Sequence, residues 1–203
     1  MCGRVRLSSD YSEIKIKLKF DGPPPNFERD WNKPPTAPML VAIRSMIGRR
    51  TPKMMRWGLL PHWAKDEKIA YSTFNARAEE FTAKPAFRDA WKNGQRCLVV
   101  TDGFYEWKKF DPKGKEKQPY AIAMADNGQM IMAGLWATWK DPKSGNEIQS
   151  CTILTTDSNG VMASLHNRMR SSWRRRTGRD GWEKSRRPMM NCWRCSSHAR
   201  MPT

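Results

Sequence analysis

The chain has 203 residues, is 38% apolar and carries a formal net charge of +17. That length suits one domain with a sizeable core, and no apolar run approaches the ~20 residues of a membrane-spanning helix. Five cysteines (Cys2, Cys97, Cys151, Cys192, Cys195) are an odd number in a chain this long, which excludes a small disulfide scaffold. No signal peptide precedes Cys2, so the expected location is cytoplasmic. The positive balance points to an anionic partner, nucleic acid before any membrane surface.

Taken in order, residues 2–7 predict a short strand or extended arm, and Ser8-Ser9-Asp10 is turn and N-cap chemistry. Residues 10–20 fit two periods: Ile14, Ile16, Leu18 and Phe20 alternate like a strand, while Asp10 suggests a helix start. Residues 21–36, with five prolines, predict an extended surface loop. Strands are expected at 39–43 and 53–59, and residues 70–77 look extended. Residues 78–92 predict a helix burying Phe81, Phe87 and Trp91 and closed by Gly94. Further strands are predicted at 97–101, 104–108, 119–124, 130–137 and 150–156. They are joined by a charged loop at 111–118 and by turns at Asp126-Asn127-Gly128 and 141–145. A short helix is expected from Asp157 to His166. The pattern gives an α+β fold: a single domain with a mostly antiparallel, barrel-like β-sheet and flanking helices.

Cys2 directly follows the initiator Met1. Removing Met1 would leave an amine and a thiol on adjacent carbons. Such a pair condenses with an aldehyde to a Schiff base and then closes a thiazolidine ring. An α-amine titrates near pH ~7.7–8.0, so a useful fraction is neutral and nucleophilic in cells.

Six motifs follow in register: Met1-Cys2-Gly3-Arg4, Trp31-Asn32-Lys33-Pro34-Pro35-Thr36, Arg56-Trp57-Gly58-Leu59-Leu60-Pro61-His62-Trp63, Asn75-Ala76-Arg77-Ala78-Glu79, Asp102-Gly103-Phe104-Tyr105-Glu106-Trp107 and Leu165-His166-Asn167-Arg168-Met169. The set resembles the SOS response-associated peptidase (SRAP) family over residues 1–169. The resemblance implies a DNA-damage protein that sheds Met1 and crosslinks covalently to abasic sites in single-stranded DNA. It implies no metal and no organic cofactor, no membrane, a monomer, and nucleoid association once crosslinked.

The site follows residue by residue. Cys2 is the nucleophile. Glu106 alternates with aromatics, and a carboxylate there suits proton transfer. By pattern alone it equally fits a solvent-facing glutamate on an edge strand. His166 could protonate the sugar ring oxygen, or else cap or pack in the core. The resemblance makes Glu106 and His166 the acid/base pair and Asn75 the group that orients the amine or the substrate. Arg4, Arg77 and Arg168 are candidates for phosphate contacts, since a guanidinium fork is planar and permanently charged. Trp63 would stack on exposed bases, with Trp57 either a second stacking residue or a core residue. Pro34-Pro35 stands where the family often has Ala-Pro.

Residues 170–203 depart from the family. They hold 10 Lys/Arg against 2 Asp/Glu, a net of +8, which leaves 27 against 18, a net of +9, for residues 1–169. They show no apolar period. A basic DNA-binding tail is one reading, and Cys192, Cys195 and His198 invite a zinc reading at cramped spacing. The adjacent reading frame, with one base restored after Met169, can encode a strand, an acidic helix rich in Trp and Leu, and a second helix with a Thr-Asp-Asp-Glu start, as the family usually shows. The expectation is therefore an SRAP-like domain at 1–169 and an aberrant, basic, frame-shifted and mainly disordered tail at 170–203. Three rival functions remain at this point: a cysteine peptidase acting on proteins, a non-covalent basic DNA-binding module, and an inactive frame-shifted copy.

Overall fold

The computed structural model describes residues 3–45, 48–111, 115–157, 168–170 and 199–200, with Lys109 and the last two segments described by backbone alone. In chain order the elements are β1 (Arg4–Leu7), α1 (Tyr11–Leu18), β2 (Asp30–Lys33), β3 (Pro38–Arg44) and β4 (Arg50–Trp57). A 3-10 turn (Glu67–Ile69) runs into α2 (Ala70–Thr73), followed by β5 (Asn75–Arg77), α3 (Pro85–Lys92), β6 (Arg96–Thr101) and β7 (Gly103–Lys109). Then come β8 (Lys117–Met124), β9 (Met130–Lys140), β10 (Glu147–Asp157), β11 (Arg168–Arg170) and β12 (Ala199–Arg200).

Five strands close into a ring. The order β10-β4-β3-β6-β9 returns to its start because β9 also pairs with β10. Contacts around the ring are antiparallel except β4 with β10, where Arg56 lies opposite Ser150 and Trp57 opposite Cys151. β5 continues along β10 where β4 stops, setting Asn75 opposite Ile153 and Arg77 opposite Thr155. The second sheet, ordered β12-β8-β7-β1-β2, packs on the ring.

The period of two along the strands sorts the core. Met39, Val41, Met55, Trp57, Cys97, Val99, Met132, Cys151 and Ile153 form one buried cluster with Val5, Phe104 and Ile122 of the second sheet. The intervening Leu40, Ala42, Leu98 and Val100 face the other way, onto Ile14, Leu18 and Phe20. α3 lays Phe87 and Ala90 against Leu135 and Leu154. A fully buried side chain of this size contributes roughly 1.5–3 kcal/mol, so the strands owe their stability chiefly to these contacts.

Several local expectations change. Residues 11–18 are helical, because Ile14 and Leu18 share one face four residues apart while Ile16 is 78% exposed. The proline-rich segment is not all loop: Asp30–Lys33 pairs with β1, and Lys33 is buried, its Nζ 3.6 Å from Asp30 Oδ2. Residues 70–73 form a helical turn, leaving only 75–77 extended. The helix expected at 78–92 begins at Pro85, which takes the first helical position because its missing N–H is not needed there. Phe81 instead lies in the turns ahead of α3 and meets Trp91 edge-on at 5.2 Å. The helix expected from Asp157 to His166 lies outside the described residues.

Candidate functional site

The site is organised by β1. Arg4 lies opposite Tyr105 of β7, Val5 opposite Phe104 and Arg6 opposite Gly103. Continuing that antiparallel register by one residue sets Gly3 opposite Glu106. A Cβ on Gly3 would sit 3.8 Å from Pro35 and 4.0 Å from Phe74, the neighbour of Asn75. Gly3 therefore lies in a corner bounded by Pro35, Phe74 and β7.

Two predicted polar residues are buried there. Glu106 is 3% exposed, and Tyr120 of β8 lies opposite it on the side away from β1. This removes the solvent-facing, edge-strand reading, since β7 is paired on both sides. Asn75 is 8% exposed at the first position of β5. The backbone around it is pinned: Phe74 O accepts from the Trp57 indole at 2.8 Å and from Ile153 N at 3.1 Å. Trp57 itself is fully buried and meets Phe74 edge-on at 5.6 Å. It is a packing residue and not a base-stacking one, a correction to the expectation for this position.

The cationic candidates lie on β1, β5 and β11, and of these the Arg77 side chain is exposed. The Arg4 guanidinium donates to Asn32 Oδ1 at 3.3 Å. Arg77 pairs with Glu80 at 3.1 Å. The backbone of β11 places Arg168 opposite Asp157 and Arg170 opposite Thr155, on the far side of β10 from Arg77. Arg77 and β11 thus flank the same end of β10 at a backbone separation of roughly 10 Å, two strand spacings.

Trp63 is 46% exposed in the excursion between β4 and β5. The support beneath it is rigid: Arg56 Nη2 contacts Glu67 Oε2 at 3.1 Å, the Trp139 indole donates to Ala64 O at 2.8 Å, and Leu60 N donates to Ser150 Oγ at 2.8 Å. None of these three supporting contacts was marked by sequence; the polar groups involved have no spacing that distinguishes them. Cys2 and His166 lie outside the described residues, as do Cys192, Cys195 and His198. No group of three His, Cys, Asp or Glu side chains among the described residues is arranged to hold a metal ion.

Two thiols lie among the described residues. Cys97 and Cys151 are free and buried inside the ring. Burial pushes the Cys151 thiol up to about 12, and burial with the neighbouring Cys151 holds Cys97 well above its ordinary range. Neither supplies a thiolate near neutral pH. No helix among the described residues is long and apolar enough to cross a membrane.

The architecture, a five-stranded ring carrying a second sheet and three short helices, recurs in a solved protein of Bacteroides thetaiotaomicron. The two superpose with a TM-score of 0.72 over 85% of this chain and 77% of that one, at 23% identity. The class is thus an α+β single domain of a fold already seen. The model of the SOS response associated peptidase (SRAP) family matches residues 1–186, and the chain belongs to that family. It is 40% identical over 171 residues to the abasic site processing protein YoqW of Bacillus subtilis, covering 83% of this chain and 74% of that protein. It is 32% identical over 209 residues to the abasic site processing protein HMCES of Xenopus tropicalis, covering 83% and 62%.

Proposed function

We propose that this protein senses abasic sites in single-stranded DNA and couples to them covalently through Cys2 after Met1 is removed. The reading is carried by one observation: the register of β1 on β7 leads the start of the chain to the buried Glu106, beside the segment bearing Asn75. The names of the relatives, all abasic site processing proteins, support the substrate.

The chemistry balances without a cofactor. A ring-opened abasic sugar presents an aldehyde at C1′. The neutral Cys2 amine adds to that carbon, and water leaves as the imine forms. The Cys2 thiol then adds across the C=N bond, its proton passing to nitrogen, and the five-membered thiazolidine closes. One water is released in total. Glu106 carries protons between the amine and the departing oxygen, and His166 protonates the sugar oxygen so that the ring opens. Asn75 orients the amine. Arg4, Arg77 and Arg168 hold the flanking phosphates, and Trp63 stacks on an unpaired base. A single strand fits because a base-free sugar must be splayed out to meet a chain terminus.

The test is denaturing gel electrophoresis after incubation with single-stranded DNA carrying one abasic site, beside Cys2→Ala. A band that survives denaturation and requires Cys2 is expected. One residue added ahead of Cys2 should also abolish it, because the amine is then an amide. No such band from a folded protein lacking Met1 overturns the reading.

A further inference from the structure

We propose that Asp102 is a positioning residue for the N-terminal nucleophile, fixing the register of β1 and so the approach of the chain start to Glu106. The inference rests on the covalent mechanism above for its consequence, but not for its geometry.

Asp102 is 3% exposed, at the junction of β6 and β7. Its carboxylate accepts four hydrogen bonds from two successive residues. Oδ2 takes Ser8 N at 2.6 Å, Ser9 N at 2.7 Å and Ser8 Oγ at 3.1 Å; Oδ1 takes Ser9 Oγ at 2.7 Å. Its own N–H donates to Arg6 O at 2.9 Å. The Ser9 hydroxyl in turn accepts from Gln129 Nε2 at 3.1 Å. The five bonds of Asp102 tie Arg6 and the two residues that follow β1 to the residue just ahead of β7, and the Gln129 bond holds Ser9 to the segment just ahead of β9.

The neighbourhood leaves no slack. A Cβ on Gly103 would stand 2.4 Å from Ile122 O, so β7 is pressed against β8 where it meets Arg6. β1 itself has only four residues. A strand this short has few ladder bonds to resist slipping, and a slip of one residue turns every side chain to the opposite face. A buried carboxylate bonded to two adjacent amides can be satisfied in one register only. The Ser8-Ser9 pair is thus spent on this clamp, while the α1 N-cap, Asp10, makes no side-chain cap bond and pairs instead with Arg29.

The test compares Asp102→Asn with Phe87→Leu, a core change under α3 away from β1. Asn keeps the shape but turns an NH2 towards the amide donors. Three quantities are read: the saturating rate of adduct formation with abasic single-stranded DNA, the Kd for the same strand carrying unreactive tetrahydrofuran, and amide exchange across residues 4–7. Asp102→Asn should lower the saturating rate about tenfold or more, leave the Kd within about twofold and speed β1 exchange. Phe87→Leu at equal or larger loss of Tm should leave rate and β1 exchange unchanged. The proposal is overturned if Asp102→Asn matches the wild type in rate and exchange, or if Phe87→Leu reproduces its losses. A wild type that forms no adduct sinks the covalent mechanism; the exchange comparison still decides the clamp.

Discussion

The inside of the ring and the corner where β1, β5 and β7 meet are both closed to solvent, yet they treat reactive groups in opposite ways. Inside the ring, two thiols sit among Met, Val and Ile, and burial keeps them protonated. At the corner, an amide and a carboxylate are buried instead, at Asn75 and Glu106, around Gly3. A buried nucleophile with no polar neighbour is silent. Buried polar groups within reach of a reactant can handle its protons, which is the role proposed for Glu106. The difference teaches that the type of residue says little until the side chain's neighbours are known, since Cys97 and Cys151 are thiols that their apolar surroundings keep protonated.

The sharpest way to break the contrast is Glu106→Gln. The side chain keeps its shape but loses its capacity to carry a proton, so single-turnover adduct formation should fall about 10²- to 10⁴-fold, with Tm changed by only a few degrees. An unchanged rate would make Glu106 a packing group like its neighbours Phe104 and Tyr120. Gly134→Ala probes the other region. Its Cβ would stand 2.5 Å from Thr152 O and 2.9 Å from Cys97 Sγ, with backbone on one side and a filled interior on the other. Thermal melts should show a loss of about 1–3 kcal/mol, or about 2–4 °C per kcal/mol for a chain of this size. Adduct formation measured well below the new Tm should survive.

The ring's thiols also set a pH dependence. A thiol whose pKa is raised in the fold favours the folded state at pH values below its unfolded pKa, near about 8.5. That contribution is lost as pH rises from there towards the folded value of about 12 for Cys151. By pH 10 the loss from Cys151 alone is about 2 kcal/mol. Denaturant melts at pH 7, 9 and 10 should show it, and Cys151→Ala should flatten the slope. A maleimide should leave Cys97 and Cys151 unmodified at neutral pH until the protein unfolds.

Much of this was legible in the sequence because strands with a period of two announce themselves. β6, β9 and β10 are long apolar or alternating runs bounded by turns such as Asp126-Asn127-Gly128. The motifs also located Asn75 and Glu106, although pattern alone allowed Glu106 to face solvent. What could not be read was anything decided by a distant partner. β2 hides among prolines because it needs only four residues and borrows its ladder from β1. Helix α1 carries a strand-like alternation because Ile16 is apolar yet exposed. Trp57 and Trp63 lie in one motif, and only the turn of the chain after β4 buries the first and leaves the second outside. Asp102 reads as turn chemistry before Gly103; its four bonds run to residues more than ninety positions away.

The smallest expected effect on stability tests that separation of the two tryptophans. Trp63 is half exposed, on a loop held by Arg56, Trp139 and Ser150 rather than by its own ring. Trp63→Ala should therefore change unfolding free energy by no more than about 0.5 kcal/mol, as for surface changes generally. The indole is nevertheless displayed on a supported loop between β4 and β5, which is what a stacking platform requires. Losing it should weaken the Kd for tetrahydrofuran-bearing single strands by about 1–3 kcal/mol, the worth of one stacked base. On the proposed reading the saturating adduct rate should not move, because Trp63 would grip the strand without touching the reacting carbon. A falling Tm with an unmoved Kd would put Trp63 with Trp57 among the packing residues, and the strand's path would then have to be sought along the arginines of β1, β5 and β11.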